Sequence, residues 1–348
     1  MKYCNHPWTS LVINPGTGHL HECCVIMDRA HLDLKIQDVD DLKDTFDNHP
    51  NWKNCRKNHL KKGWENLNQC WDCNTAKKHL YPTQHHMVPR SWKFPIAKGL
   101  QYLELTTSNT CNQNCVTCSS MFSSKWRKIE HLYDREQYKS WSLSKKDIEK
   151  VLKVLPHLRV IQFKGGEFFA DMNNLKILNE LYEVNNNCII EIVSNFHEIP
   201  EKFMTAIEKY GPDKIHINAS IDGIGKVYEW IRSSSWEKTL NTLRQYYSMS
   251  NNQIKLVPTI SYYNMKHIPE LIKWSEQEKS VFSLKDTPIE AYNRVISPLW
   301  CAIDKLYTQD ELDKWGFGYL KSNIDEKTVA LNKKYTEVTN KLRGFSIE

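Results

Sequence analysis

From about Gly99 onward, short apolar runs alternate with amphipathic stretches. The strand-like runs lie at 100–107, 158–165, 188–195, 214–222, 254–262 and 280–286. They are rich in Ile, Val, Leu and Phe and are bounded by polar or glycine-containing turns. Helical patterns fill the gaps at 144–155, 174–184, 199–210, 236–247 and 268–278. In the first of these, Ile148, Leu152 and Leu155 recur at helical spacing, and Ser144 is placed to cap its start. Six strands joined by helical crossovers predict an α/β fold with a mostly parallel sheet and helices outside it. Ligands bind at the carboxyl ends of strands in such sheets.

The first 90 residues read differently. They are rich in His, Trp, Asn and Lys and poor in long apolar runs, as in a loop-rich module that needs a metal staple. Pro82, Pro89 and Pro95 then punctuate a polar connector. The expected division is an N-terminal module over 1–90, the alternating region over 91–300 and a helical, charged extension over 301–348.

Composition narrows the class. With 348 residues, 40% hydrophobic and 25% charged, the chain can bury a sizeable core, which excludes wholesale disorder. No apolar run reaches membrane-spanning length, and the sequence MKYCNHPWTS has no signal-peptide core, so a cytoplasmic location is expected. A net charge of +6 permits an anionic partner without demanding one. Eleven cysteines are too few for a disulfide scaffold and are clustered, which points to metal or redox chemistry.

The tightest cluster is Cys111, Cys115 and Cys118, in the loop that follows the first of the six strands. Soft thiolates this close suit an iron–sulfur cluster or zinc. Structural zinc normally takes four ligands, and the loop offers no fourth Cys or His, so a cluster is favoured over zinc and over inert thiols.

This spacing, Cys-x3-Cys-x2-Cys, resembles the cluster motif of the radical S-adenosylmethionine enzyme family. The likeness extends along the chain over roughly 99–290. Gly165-Gly166-Glu167 resembles the family's GGE motif, although Phe168 stands where the family usually has Pro. Ser194-Asn195 resembles its TN step, and Ser220-Ile221-Asp222-Gly223 its S-[IL]-D-G segment. Arg232 matches an arginine commonly found shortly after that segment. The resemblance implies a partial (β/α)6 TIM-like barrel and a four-iron four-sulfur cluster with an open iron that chelates S-adenosylmethionine. It implies that Gly165, Gly166 and Glu167 approach the cofactor, with Glu167 orienting its ammonium group. Ser194, Asn195, Ser220 and Asp222 would lie near its ribose and methionine ends, and Arg232 would pair with its carboxylate. A reduced flavodoxin or ferredoxin-type electron donor is implied as well.

The N-terminal module resembles the auxiliary-cluster regions called twitch or SPASM domains, which the family usually places after the barrel. Cys4, Gly18, Cys23 and the pair Cys70 and Cys73 fit that pattern, with Cys24 the alternative to Cys23. A second four-iron cluster held by Cys4, Cys23, Cys70 and Cys73 is therefore expected, with a zinc knuckle as the alternative. Cys55 reads as a plain thiol, and Cys188 and Cys301 as core residues. Trp52, Trp64 and Trp71 are interleaved with lysines and arginines over 52–78. That pattern suits RNA binding, but a solvated face around the module is favoured. The expected function is hydrogen abstraction from a peptide or protein side chain. The alternatives are a radical enzyme acting on RNA or a nucleotide, and a non-catalytic, zinc-stapled binding protein.

Overall fold

The computed structural model describes residues 4, 6–23, 33–63, 66–67, 70, 99–284 and 293–347. Its main sheet is mainly parallel and has eight strands. The chain packs as two compact units, each gathered from several segments. The first takes Met1–Ser108, Trp141–Gly165 and Asp171–Glu191; the second takes Asn109–Ser140, Gly166–Ala170 and Ile192–Glu348. The module boundary expected near residue 90 falls within 71–98, outside the described residues.

In the first unit, β1 (Ser10–Ile13), β2 (Leu20–His21), β3 (Tyr102–Leu105) and β4 (Val160–Phe163) lie in the order β2-β1-β3-β4. β1 runs parallel to β3 with Leu11 opposite Leu103, and β3 runs parallel to β4 with Leu103 opposite Ile161. Side chains alternate between the two faces of a strand, and Leu103, Leu105, Ile161 and Phe163 share one buried face while Glu104 and Gln162 stand opposite each other on the other. β1 escaped the sequence reading because four residues are too few for periodicity to register; it pairs antiparallel with the two-residue β2 across a short turn and in parallel with β3, about 90 residues on. Gly18, at φ 69°, forms the turn from β1 into β2, where a side chain would also press on Ile36 Cγ2 at 3.2 Å. The helix Lys145–Val154 opens with the anticipated cap: Ser144 accepts from the Asp147 amide, and Asp147 accepts in return from the Ser144 amide. β5 (Ile189–Ser194) begins in this unit and ends in the second.

The second unit holds β6 (Ile215–Ala219), β7 (Ile254–Leu256), β8 (Thr259–Ile260), β9 (Phe282–Leu284) and β10 (Asn293–Arg294). β6, β7 and β9 pair in parallel in that order, and β8 pairs separately with β10. The single strand expected over 254–262 is thus broken. Pro258 stands between β7 and β8, and a proline has no N–H to donate to the ladder. Among the unit's helices are Glu201–Tyr210, Gly225–Arg232, Trp236–Ser250, Ile268–Gln277 and, near the end, Glu326–Arg343. Its aromatic core joins Trp126, Tyr133, Trp230, Trp300 and Tyr335, with Tyr133 and Trp300 stacked at 5.6 Å. No helix among the described residues is long and apolar enough to cross a membrane.

Candidate active site

The loop that carries the three cysteines has few regular backbone hydrogen bonds, so its carbonyls need other donors. Side chains supply them. Ser124 Oγ donates to the Cys111 carbonyl at 3.3 Å, and Ser123 Oγ donates to that of Gln113. Trp126 Nε1 donates to the Cys115 carbonyl and Arg135 Nη1 to that of Cys118, both at 2.8 Å. Arg343 Nη2 donates to the Asn114 carbonyl at 2.9 Å. The Val116 amide meets the Ile231 carbonyl at 2.8 Å, fastening the loop to the helix Gly225–Arg232. The buried Glu130 carboxylate accepts from the Ser120 amide and lies 3.6 Å from Arg135. Donors of several kinds thus brace the loop from outside.

Polar side chains reach the sulfurs, among them Gln113, whose Oε1 accepts from Cys115 Sγ at 3.6 Å. Asn195 Nδ2 lies 3.9 Å from Cys111 Sγ, and Arg232 Nη1 lies 3.8 Å from Cys115 Sγ. Burial pushes the Cys111 thiol up to about 12, with the charges of Cys115 and Glu167 adding to the shift. Burial raises Cys115 too, opposed by the Arg232 charge, and raises Cys118, reinforced by Cys115 and Cys111. The three thiols are therefore near enough to repel one another as anions, and a cationic centre would relieve them. Among the described residues, no three His, Cys, Asp or Glu side chains gather tightly enough to hold a single metal ion. This donor set suits a larger, soft centre such as an iron–sulfur cluster better than zinc.

The glycines Gly165 and Gly166 serve the packing of the chain on itself. A Cβ on Gly165 (φ 107°) would fall 2.1 Å from Thr106 Cγ2, and one on Gly166 would fall 2.1 Å from the Thr110 carbonyl oxygen, one residue before Cys111. The Glu167 amide then donates to that same carbonyl at 2.7 Å. The carboxylate of Glu167 accepts from Ser194 Oγ at 2.6 Å, the Asn195 amide at 2.8 Å and the Phe169 amide at 3.2 Å. Burial raises its pKa against the pull of those three donors. Phe168 and Phe169, following the motif, pack edge-on against Phe203, an apolar setting that accounts for Phe168 at this position.

Asn195 also bonds Asn112 Oδ1 at 2.8 Å, so its side chain holds the cluster loop. The Ser220 amide donates to the Ser194 carbonyl at 2.8 Å. Asp222 is fully buried, with Oδ2 2.6 Å from Arg232 Nε and Oδ1 accepting from the Thr259 amide at 2.8 Å. Burial works against the Arg232 charge, but Asp222 and the Cys115 sulfur outweigh it and hold the guanidinium above its ordinary range. Glu167, Ser194, Asn195, Ser220, Asp222, Arg232 and the cysteine triad all lie in the second unit, with Gly166; Gly165 closes the first.

In the first unit Cys4, Cys23 and Cys70 are half-buried, while Cys24 and Cys73 lie outside the described residues. Cys55 is buried, its Sγ 3.0 Å from Glu22 Oε1. His59 Nδ1 lies 3.0 Å from the Cys55 carbonyl, and its Nε2 lies 3.8 Å from Cys70 Sγ. The Cys55-x3-His59 spacing on the helix Pro50–Lys62 was the available signal for this grouping, and sequence reasoning passed over it. Trp52 is wholly buried and Arg56 lies over the Phe46 ring at 4.5 Å, so neither is presented for stacking on a nucleic acid. Cys188 and Cys301 are buried, as expected of core thiols.

Residues 105–275 match the Radical SAM superfamily model. A radical SAM cyclopropyl synthase, TigE, of Paramaledivibacter caminithermalis is 26% identical over 195 residues, covering 52% of this chain and 41% of that protein. An uncharacterized protein of Methanocaldococcus jannaschii, MJ0907, is 26% identical over 183 residues, covering 51% of this chain and 58% of its own. The chain thus spans about half the length of the curated relatives it matches. Among solved structures, Streptococcus suis SuiB bound to its precursor peptide SuiA is similar at 14% identity and a TM-score of 0.42, over 86% of this chain and 53% of that one.

Proposed function

We propose, from the premise that this chain belongs to the Radical SAM superfamily through residues 105–275, that it is a radical enzyme modifying a peptide or protein side chain. The observation that carries the reading is the triad Cys111, Cys115 and Cys118 on an externally braced loop, with Arg232 and Asn195 against its sulfurs. A four-iron cluster held there would supply one electron for reductive cleavage of the S-adenosylmethionine sulfonium, releasing methionine, and so the chemistry for taking hydrogen from the substrate. The three thiols would hold the cluster, and their mutual repulsion as anions favours a cationic centre among them. Arg232, held beside Cys115, would meet the cofactor carboxylate, a task that suits a forked cation. Glu167, close enough to Cys111 to raise its pKa, would face the ammonium group. Gly165, Gly166, Ser194, Asn195, Ser220 and Asp222 would shape the surrounding wall.

Cys4, Cys23, Cys70 and Cys73 would hold an auxiliary four-iron cluster that returns the electron or docks substrate. The peptide class of substrate follows from the resemblance of this module to the auxiliary domains of peptide-modifying family members. A flavodoxin or ferredoxin-type protein would supply the electron. Anaerobic purification tests the reading: a brown protein with about eight iron and eight sulfide per chain that forms 5′-deoxyadenosine supports it. A colourless protein carrying only zinc would overturn it.

A further inference from the structure

We infer that Arg343, at the end of the helix Glu326–Arg343, is a positioning residue for the cluster loop. The inference rests on the iron–sulfur reading above and concerns a helix beyond the matched residues 105–275. That helix is fastened to the second unit along its length. Asn332 Nδ2 donates to the Trp300 carbonyl at 2.9 Å, and Thr336 Oγ1 lies 2.8 Å from the Tyr263 hydroxyl. Thr339 Oγ1 lies 2.9 Å from the Tyr133 hydroxyl, and Asn340 Oδ1 accepts from Trp230 Nε1 at 2.8 Å. These bonds deliver Arg343 to a fixed place.

There its guanidinium spans two carbonyls. Nη2 donates to Asn114 O at 2.9 Å and Nε to Trp230 O at 3.0 Å. Asn114 immediately precedes Cys115. Trp230 lies in the last turn of the helix Gly225–Arg232, whose carbonyls have no partner within that helix. Two residues later comes Arg232, whose Nη1 reaches Cys115 Sγ at 3.8 Å. Arg343 therefore ties together the two segments that meet at Cys115. A carbonyl that rotated toward the anionic sulfur would repel it; a donor on the far side pins it away. The planar fork matters because one group must satisfy two acceptors at a fixed spacing, which an ammonium does poorly. Its positive charge also favours the more negative, reduced state of a cluster.

The two roles separate experimentally in full-length, reconstituted protein. Arg343→Gln should lose iron to an external chelator about tenfold faster than wild type. Its cluster should also become about tenfold harder to reduce, a shift of about 59 mV to more negative potential in an EPR-monitored titration. Arg343→Lys, with the charge but not the fork, should recover the potential and still lose iron faster. Thr336→Ala removes one of the four bonds that fasten the helix but leaves Arg343 and the other three, and should leave the potential at the wild-type value. Wild-type values of both quantities in Arg343→Gln overturn the inference, as does a potential lowered equally by Thr336→Ala. If Arg343→Gln does not fold, the Lys variant decides: faster iron loss supports the tie and a wild-type rate overturns it. A wild-type chain that takes up no iron overturns the iron–sulfur reading itself, and this inference with it.

Discussion

Asp222→Asn tests how the site keeps a buried guanidinium in place. In the wild type, Asp222 Oδ2 stands 2.6 Å from Arg232 Nε, and the two side chains are 0% and 11% exposed. At an effective dielectric of about 20, unit charges at that 2.6 Å separation attract by roughly 6 kcal/mol. Desolvating both groups offsets much of this gain. Removing one partner does not recover the offset, because Arg232 stays buried, so the loss should be about 3–5 kcal/mol. Asparagine makes matters worse. It presents one acceptor oxygen to two donors, so its NH2 must face either the Thr259 amide or Arg232 Nε. Adding Arg232→Met removes the stranded charge, and the double variant should lose at least about 2 kcal/mol less than the two single losses summed. The assay is urea unfolding of metal-free, reduced protein followed by tryptophan fluorescence, so cluster content does not enter. Against a native stability on the order of 5–15 kcal/mol, the single loss is a large shift in midpoint. An Asp222→Asn protein within about 0.5 kcal/mol of wild type, or strictly additive losses, refutes the reasoning.

Changing Cys111, Cys115 and Cys118 together to Ala should lower the iron content from about eight to about four per chain. Loss of all iron, or of none, in that variant rules out two independent centres. Cys70→Ala/Cys73→Ala, once circular dichroism has shown it folded, should still form 5′-deoxyadenosine under strong chemical reduction but should make no product from its substrate. Product at the wild-type level would leave the N-terminal centre as a staple. Ser144→Ala removes the side-chain acceptor of the capping box and should cost about 1 kcal/mol in urea unfolding, with Ser144→Asp recovering most of it. A loss below about 0.3 kcal/mol would mean the cap contributes little to stability.

The parallel frame was legible because its strands carry Leu, Ile, Val and Phe on a buried face and are separated by helices of strong periodicity. Helix Lys145–Val154 shows this best: its apolar spacing and its cap at Ser144 both stand in the local sequence. β1 was illegible for the opposite reason. Its SLVI run is four residues long, its local partner β2 has only two residues, and its longer partner β3 lies outside any local window. The cysteine triad was legible because only thiolates at close spacing do that chemistry. Trp126, Arg135 and Arg343, which hold the carbonyls of Cys115, Cys118 and Asn114, were not. A backbone carbonyl accepts from any donor of the right reach, so such a brace leaves no residue pattern. Arg343 lies 229 positions from the Asn114 it holds.

The two acids read from motifs, Glu167 and Asp222, share a device that no motif states. Glu167 follows β4 and accepts the amide of Asn195, just past the end of β5. Asp222 follows β6 and accepts the amide of Thr259, which opens β8 three residues after the end of β7. In each case a carboxylate after one strand receives the backbone N–H that emerges after the next. Strand ends leave such N–H groups without a ladder partner, and burial would make each one costly. A carboxylate suits the task because its two oxygens accept several donors at once: Glu167 takes three, and Asp222 takes Thr259 with Arg232. Asparagine or glutamine would turn an NH2 toward one of them. The acidic residue type at these positions thus follows from the strand ends alone, before any ligand is considered.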